Sequence, residues 1–121
     1  MAGRLTTHVL DIGRGRPAAG IAVTVYQLGR DGLREAVAAA VTNTDGRVDR
    51  SLLEGEQFHA GTYELVFEVG PYLSQQRQER EVIAEPLWDQ VPIRLAVPDA
   101  SEHYHIPLLI APGGYSTYRG S

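Results

Sequence analysis

The sequence contains no cysteine in 121 residues, which excludes disulfides and thiolate metal sites and fits a reducing compartment. It also lacks any concentration of positive charge. All 11 basic residues are arginine, they are spread along the chain, and the net charge is −4. A nucleic-acid partner, which needs a basic patch to meet phosphate, is therefore not expected. No apolar run approaches the roughly 18 residues of a membrane span, and the N-terminal MAGRLTTHVLD lacks the apolar core of a signal peptide. The expectation is a cytoplasmic chain with no membrane partner. There is no internal repeat, no low-complexity tract and no Gly/Ser-rich linker, so residues 1–121 read as a single domain. No G-x-S-x-G motif is present, which leaves a serine-hydrolase reading without its nucleophile.

What is present is ordinary for a globular domain: 43% hydrophobic and 21% charged residues, enough for one core that buries about two thirds of the unfolded chain's surface. Short β-branched or alternating segments are broken by Gly, Pro, Asp or Asn, the pattern of strands joined by turns. The candidates are LTTHVLDI (5–12), IAVTVYQL (21–28), AVAAAVTN (36–43), a short piece near 47–50, TYELVFEV (62–69), VPIRLAV (91–97), HYHIPLLI (103–110) and YSTYR (115–119). About eight such segments favour an all-β sandwich or barrel over alternating βαβ units. PYLSQQRQERE (71–81) differs: Pro71 suits a first helical position and good helix formers follow, so one short surface helix is predicted there. Asp45-Gly46 supplies the positive-φ chemistry of a tight turn.

Strand side chains alternate between faces, which sorts the polar residues. Leu5, Thr7 and Val9 share one face, against Thr6, His8 and Leu10; Tyr104 and Ile106 share one face, against His103, His105 and Pro107. In the last segment Ser116 and Tyr118 lie together. If these strands are sheet neighbours, His8, His105 and Tyr118 converge on one outward patch with Leu10 and Pro107 as its apolar floor. Covering such a floor calls for self-association. Each residue has an ordinary alternative. A lone strand histidine is by default a surface or hydrogen-bonded structural residue, Arg47 a solvated charge, and Tyr118 an interface aromatic. His59, in a loop, and His103, at a strand start, are weaker candidates. His103 and His105 at i, i+2 have the spacing for zinc but lack a clear third ligand.

Taken together, the motifs HVLDIGRGRPAAGIAV (8–23), HYHIPLLIAP (103–112) and the terminal YSTYRGS (115–121) resemble the transthyretin-like family, and within it the enzymatic branch of 5-hydroxyisourate hydrolases. The likeness runs from Leu5 to Ser121. The closing YRGS is its most specific mark, because the hormone-carrying branch lacks it. The resemblance implies a two-sheet β-sandwich of eight strands with one helix, assembled as a homotetramer around a central channel, with active sites at the channel mouths. It implies hydrolysis of 5-hydroxyisourate to 2-oxo-4-hydroxy-4-carboxy-5-ureidoimidazoline, with no metal or organic cofactor.

Carried over residue by residue, the resemblance assigns catalysis to His8, Arg47, His105 and Ser121, and substrate binding to His8, Arg47 and Tyr118. A near-neutral histidine suits a general base. One of His8 and His105 then takes a proton from water while the other orients it or donates to the leaving nitrogen, with His105 placed as the orienting partner. Arg47 brings a permanent planar cation to the oxyanion, Tyr118 holds the heterocycle, and Ser121 adds a hydroxyl and a carboxylate, with Arg119 paired to that carboxylate or to a neighbouring subunit. IAPGG (110–114) departs from the family's Leu-Ser-Pro-aromatic turn but spares these positions. The competing reading is a small-molecule carrier that uses the channel of the same tetramer.

Overall fold

The computed structural model describes residues 3–80 and 86–121. Strands β1 (Arg4–Asp11), β2 (Arg16–Pro17), β3 (Ala22–Leu28), β4 (Arg34–Val41), β5 (Leu53–Glu54) and β6 (Gly61–Glu68) precede a helix α1 (Val69–Arg80), and β7 (Gln90–Val97), β8 (His103–Ala111) and β9 (Gly114–Thr117) follow it. They form two sheets. One runs β2-β1-β8-β9 with β5 also paired to β1; the other runs β4-β3-β6-β7. Of the all-β sandwich or barrel that the strand pattern favoured, the fold is the two-sheet sandwich with one helix that the family resemblance implied, with two-residue β2 and β5 added at the edges.

The core lies where the two inner faces meet. From the first sheet come Leu5, Val9, Tyr104, Ile106, Leu108 and Ile110; from the second come Val23, Val25, Tyr63, Leu65, Phe67 and Val91, all buried. These are the residues at every second position of their strands, so the pleat alone delivers an apolar layer. Thr7 is the polar member of the β1 inner row, and its hydroxyl is satisfied by the Ile106 carbonyl at 2.7 Å. On the outer face of the second sheet, Glu64 stands between Arg34 at 2.9 Å and Arg94 at 3.1 Å.

Most strand pairings are antiparallel, but β1 and β8 run parallel, with Thr6 opposite His105 and His8 opposite Pro107. A parallel pair requires a long crossover, and here nearly the whole chain supplies it. The alternation expected on both strands is observed except at Pro107, expected as part of the outward apolar floor, which is buried. Leu5, Thr7, Val9, Tyr104 and Ile106 are buried, whereas Thr6, His8, His103 and His105 are only partly covered.

Several boundaries differ from the sequence expectation for physical reasons. The helix starts at Val69, two residues before Pro71, because proline is tolerated throughout a first turn whose N–H groups have no intrahelical acceptor. Val69 is fully buried and Gly70 N–H bonds to the Asp89 carbonyl at 2.9 Å, which fixes that turn against the chain entering β7. Glu81, the last residue of the predicted helix, lies outside the described residues. The helix is tied to the first sheet by Tyr72, whose hydroxyl donates to buried Asp11 at 2.8 Å; burial first, and then the Asp11 bond, push this phenol above its ordinary range. The short piece near 47–50 contributes a single bridge, His8 with Arg47, while the strand proper is β5. The last strand ends at Thr117, and the backbone pairs with β8 again at Gly120, which bridges to His105. The IAPGG stretch closes β8 onto β9 as a two-residue hairpin, with Ala111 opposite Gly114.

The turn at Gly46 is the tightest point near the site. Its φ is +76°, and a Cβ there would collide with the Val9 carbonyl oxygen and press on Pro17 at 3.1 Å and the His8 ring at 3.2 Å. Gly46→Ala is expected to destabilise the fold by about 1–3 kcal/mol, measured as a lower midpoint in urea unfolding with an unchanged slope.

Candidate active site

The outward face of the β1–β8 pair collects the polar residues that the alternation placed there. Thr6 and His8 project from β1, His103 and His105 from β8, and the turn after β4 delivers Arg47 alongside His8. A cleft of about 380 Å³ is lined by Arg4, Thr6, Arg47, His103, His105 and Ser121, with residues 48–51 closing one side.

Arg47 is held by local chemistry that the sequence reading did not identify. Asn43 Oδ1 accepts from the backbone N–H of Asp45 at 2.9 Å and of Arg47 at 3.2 Å, and Asn43 N–H bonds the Arg47 carbonyl at 2.7 Å. This is an Asx turn, in which a short side chain replaces a backbone acceptor. Its visible signal was the Asn two residues before Asp-Gly. Val9 N–H then donates to the Gly46 carbonyl at 2.7 Å and docks the turn on β1.

His8 is oriented by the same turn. Its Nε2–H donates to the Asp45 carbonyl at 2.8 Å; since a carbonyl only accepts, a neutral His8 carries its lone pair on Nδ1. His105 is oriented differently. Its Nδ1 lies 2.8 Å from the Thr6 hydroxyl, and the same hydroxyl lies 2.7 Å from His103 Nε2. Nε2 is thus the His105 nitrogen left to the cleft. Thr6 is a site residue that the sequence reading passed over as one of the outward row.

The electrostatics of the pocket favour neutral imidazoles. Burial, followed by the charge of Arg47 and the neighbouring His103 and His8, holds His105 below the ordinary histidine range. Burial, with Arg4 and Arg119 next, does the same to His103. His105 is accordingly deprotonated at neutral pH and able to accept a proton.

The remaining sequence candidates fall as follows. Ser121 lines the cleft, and Gly120 bridges to the His105 backbone, its N–H bonding the His105 carbonyl at 2.7 Å. A Cβ at Gly120 would lie 2.7 Å from His105 Cδ2, so the terminal segment passes directly against the imidazole. Tyr118 does not join the cleft of a single chain; it is 56% exposed. Arg119 pairs with Glu102 at 3.1 Å and the His103 carbonyl at 3.0 Å, and its guanidinium stacks 4.3 Å from the Tyr104 ring centre. These partners all lie on its own chain. His59 is exposed and remote in the chain from these strands. Among the described residues no group of three or more His, Asp or Glu side chains is placed to hold a metal, and the facing nitrogens of His103 and His105 are both engaged by Thr6.

The model of the HIUase/Transthyretin family matches residues 5–120. The chain belongs to that family. A 5-hydroxyisourate hydrolase of Mesorhizobium japonicum is 53% identical over 98% of this chain and 93% of its own length. One from Halalkalibacterium halodurans is 47% identical with both chains fully covered. Among solved structures, the Klebsiella pneumoniae 5-hydroxyisourate hydrolase superposes with a TM-score of 0.80 at 35% identity, covering 98% of this chain and 99% of that one. Sea bream transthyretin in complex with thyroxine superposes at 0.85 with 28% identity, covering 97% and 94%. The hydrolase and the transthyretin thus share this sandwich.

Replacing Arg47 by Gln removes a cation that repels the His105 imidazolium. The His105 pKa is expected to rise toward the ordinary value of about 6.5 while staying below it, because burial persists. The measurement is an NMR titration of the imidazole in the wild type and in Arg47→Gln; an unmoved or lowered midpoint would refute the coupling.

Proposed function

We propose that this chain hydrolyses 5-hydroxyisourate to 2-oxo-4-hydroxy-4-carboxy-5-ureidoimidazoline in urate catabolism. The observation that carries the reading is the convergence of Arg47 and a neutral His105, with Nε2 free, on one cleft. The identity of about half its residues with curated hydrolases along nearly the whole chain supports the same substrate.

Hydrolytic ring opening needs a base for water and a cation for the developing oxyanion. His105 Nε2 takes the proton from water as the oxygen attacks the ring carbonyl. Its lowered pKa keeps it unprotonated at neutral pH, which a general base requires. This reverses the orienting role that the sequence reading gave it. His8 takes the orienting role, since its Nε2–H is committed to the Asp45 carbonyl and its ring is fixed by the Gly46 turn. Arg47 holds the carbonyl oxygen as it becomes tetrahedral; its guanidinium needs no proton transfer to carry that charge. Ser121 closes the cleft with its hydroxyl. The reaction as written uses water, imidazole and guanidinium, and calls on no metal or organic cofactor.

The same reading includes a homotetramer in the cytoplasm. Leu10 and Leu109 are only half-buried on the outward face, and Tyr118 and Ile12 are exposed beside it, at 56% and 53%. A subunit contact there covers them and brings Tyr118 against substrate.

With 5-hydroxyisourate generated from urate by urate oxidase, wild-type protein is expected to accelerate the decay of its absorbance, with or without chelator. Arg47→Ala is expected to lose about 10²–10³ in kcat, the usual cost of one oxyanion donor, while keeping the wild-type mass in light scattering. Saturable binding of the substrate without turnover would replace the hydrolase with the carrier reading.

A further inference from the structure

The Thr6 hydroxyl lies within 2.8 Å of two imidazole nitrogens from different positions of β8. A hydroxyl has one proton and two lone pairs. It can accept from one ring N–H while donating to the other ring, and the chain His103–Thr6–His105 then has two directions that differ only in where the protons sit. We propose that Thr6 and His103 form a proton relay behind His105, which shares the proton taken from water between two imidazoles during the lifetime of the tetrahedral intermediate. The relay rests on the hydrolase reading given above.

At rest His105 carries its proton on Nδ1 and donates it to Thr6 Oγ1, while Thr6 donates its own to His103 Nε2. When water adds to the ring carbonyl, a C–O bond forms and His105 Nε2 takes a water proton. The Nδ1 proton moves to Thr6, and the Thr6 proton moves to His103 Nε2. The positive charge now sits on His103. As the ring C–N bond breaks, the leaving nitrogen takes the proton on His105 Nε2, and the two relay protons move back. Water has supplied one proton to the nitrogen and the hydroxyl group to the carbon, and all three relay residues have returned to their starting state.

The surroundings explain the advantage. An imidazolium confined to His105 faces Arg47, with His8 and His103 nearby. One on His103 faces Arg4 and Arg119 instead, but the Arg119 charge is already paired with Glu102. Dividing the charge between the rings avoids concentrating it beside the guanidinium that holds the oxyanion. Hydroxyl and rings are held for this by backbone register, since Thr6 and His105 are paired residues of the parallel ladder. Thr6 and His103 are thus positioning residues that act through His105.

The test is the solvent isotope dependence of kcat in mixtures of H₂O and D₂O. Wild type is expected to give a curved proton inventory, from more than one proton in flight, and Thr6→Val a linear one. Thr6→Val is expected to lower kcat about tenfold or more with little change in KM, less than the loss on removing the acid–base group itself. Thr6→Ser restores both. His103→Gln, at the partly exposed strand start, reproduces the Thr6→Val effect, and the double variant is no worse than either single one. Nitrogen-15 NMR is expected to show neutral His105 protonated on Nδ1 in the wild type, and this preference lost in Thr6→Val. An active wild type whose Thr6→Val variant keeps kcat, the curved inventory and the His105 tautomer overturns the relay alone. A wild type inert toward 5-hydroxyisourate overturns the functional reading and the relay with it.

Discussion

The parallel ladder between β1 and β8 is the constraint on which the site depends. It joins residues almost a hundred positions apart in a register that places Thr6 opposite His105, and period-2 alternation then assigns every residue of both strands to core or cleft. A slip of one residue on either strand would exchange the two faces. On β1 it would bury His8 and expose Leu5 and Val9, and on β8 it would bury His103 and His105 and expose Tyr104 and Ile106, so the apolar layer guards the register of the polar one. Core packing and site geometry are two sides of a single pairing.

Two secondary devices complete the arrangement. The Asn43 turn fixes Arg47 through the backbone and leaves its guanidinium free to reach into the cleft. The Arg119 contacts to Glu102, the His103 carbonyl and the Tyr104 ring hold the terminal segment along β8. Both act on the main chain next to a functional residue and leave that residue's own polar atoms to the cleft. The ring nitrogens are treated in the opposite way: His8 Nε2 is committed to the Asp45 carbonyl and His105 Nδ1 to the Thr6 hydroxyl, which orients both rings.

Much of this was legible in the sequence, for identifiable reasons. Alternation in LTTHVLD and HYHIPLL reported the faces correctly because a half-buried strand has no other economical pattern. Asp45-Gly46 reported its turn because only glycine suits that backbone. What could not be read was set by distant pairing. Nothing local indicates that β1 and β8 run parallel, and without that register Thr6 is one hydroxyl among several. The helix start was misplaced because Pro71 marks a first turn without saying where in it the proline falls. The partners of Arg119 are acidic, carbonyl and aromatic groups that become neighbours only when the terminal segment folds back on β8. The exposed position of Tyr118 follows from the same path, since β9 ends at Thr117 and the backbone pairs with β8 again at Gly120.

Gly120 stands where the returning chain crosses His105 Cδ2, and the space available there is smaller than a methyl group. The clearance of the imidazole is therefore gauged by an atom the protein does not have. With only hydrogens on its α-carbon, Gly120 lets the main chain lie directly against the ring. Any side chain at this position would have to displace the imidazole or lift the main chain away from it.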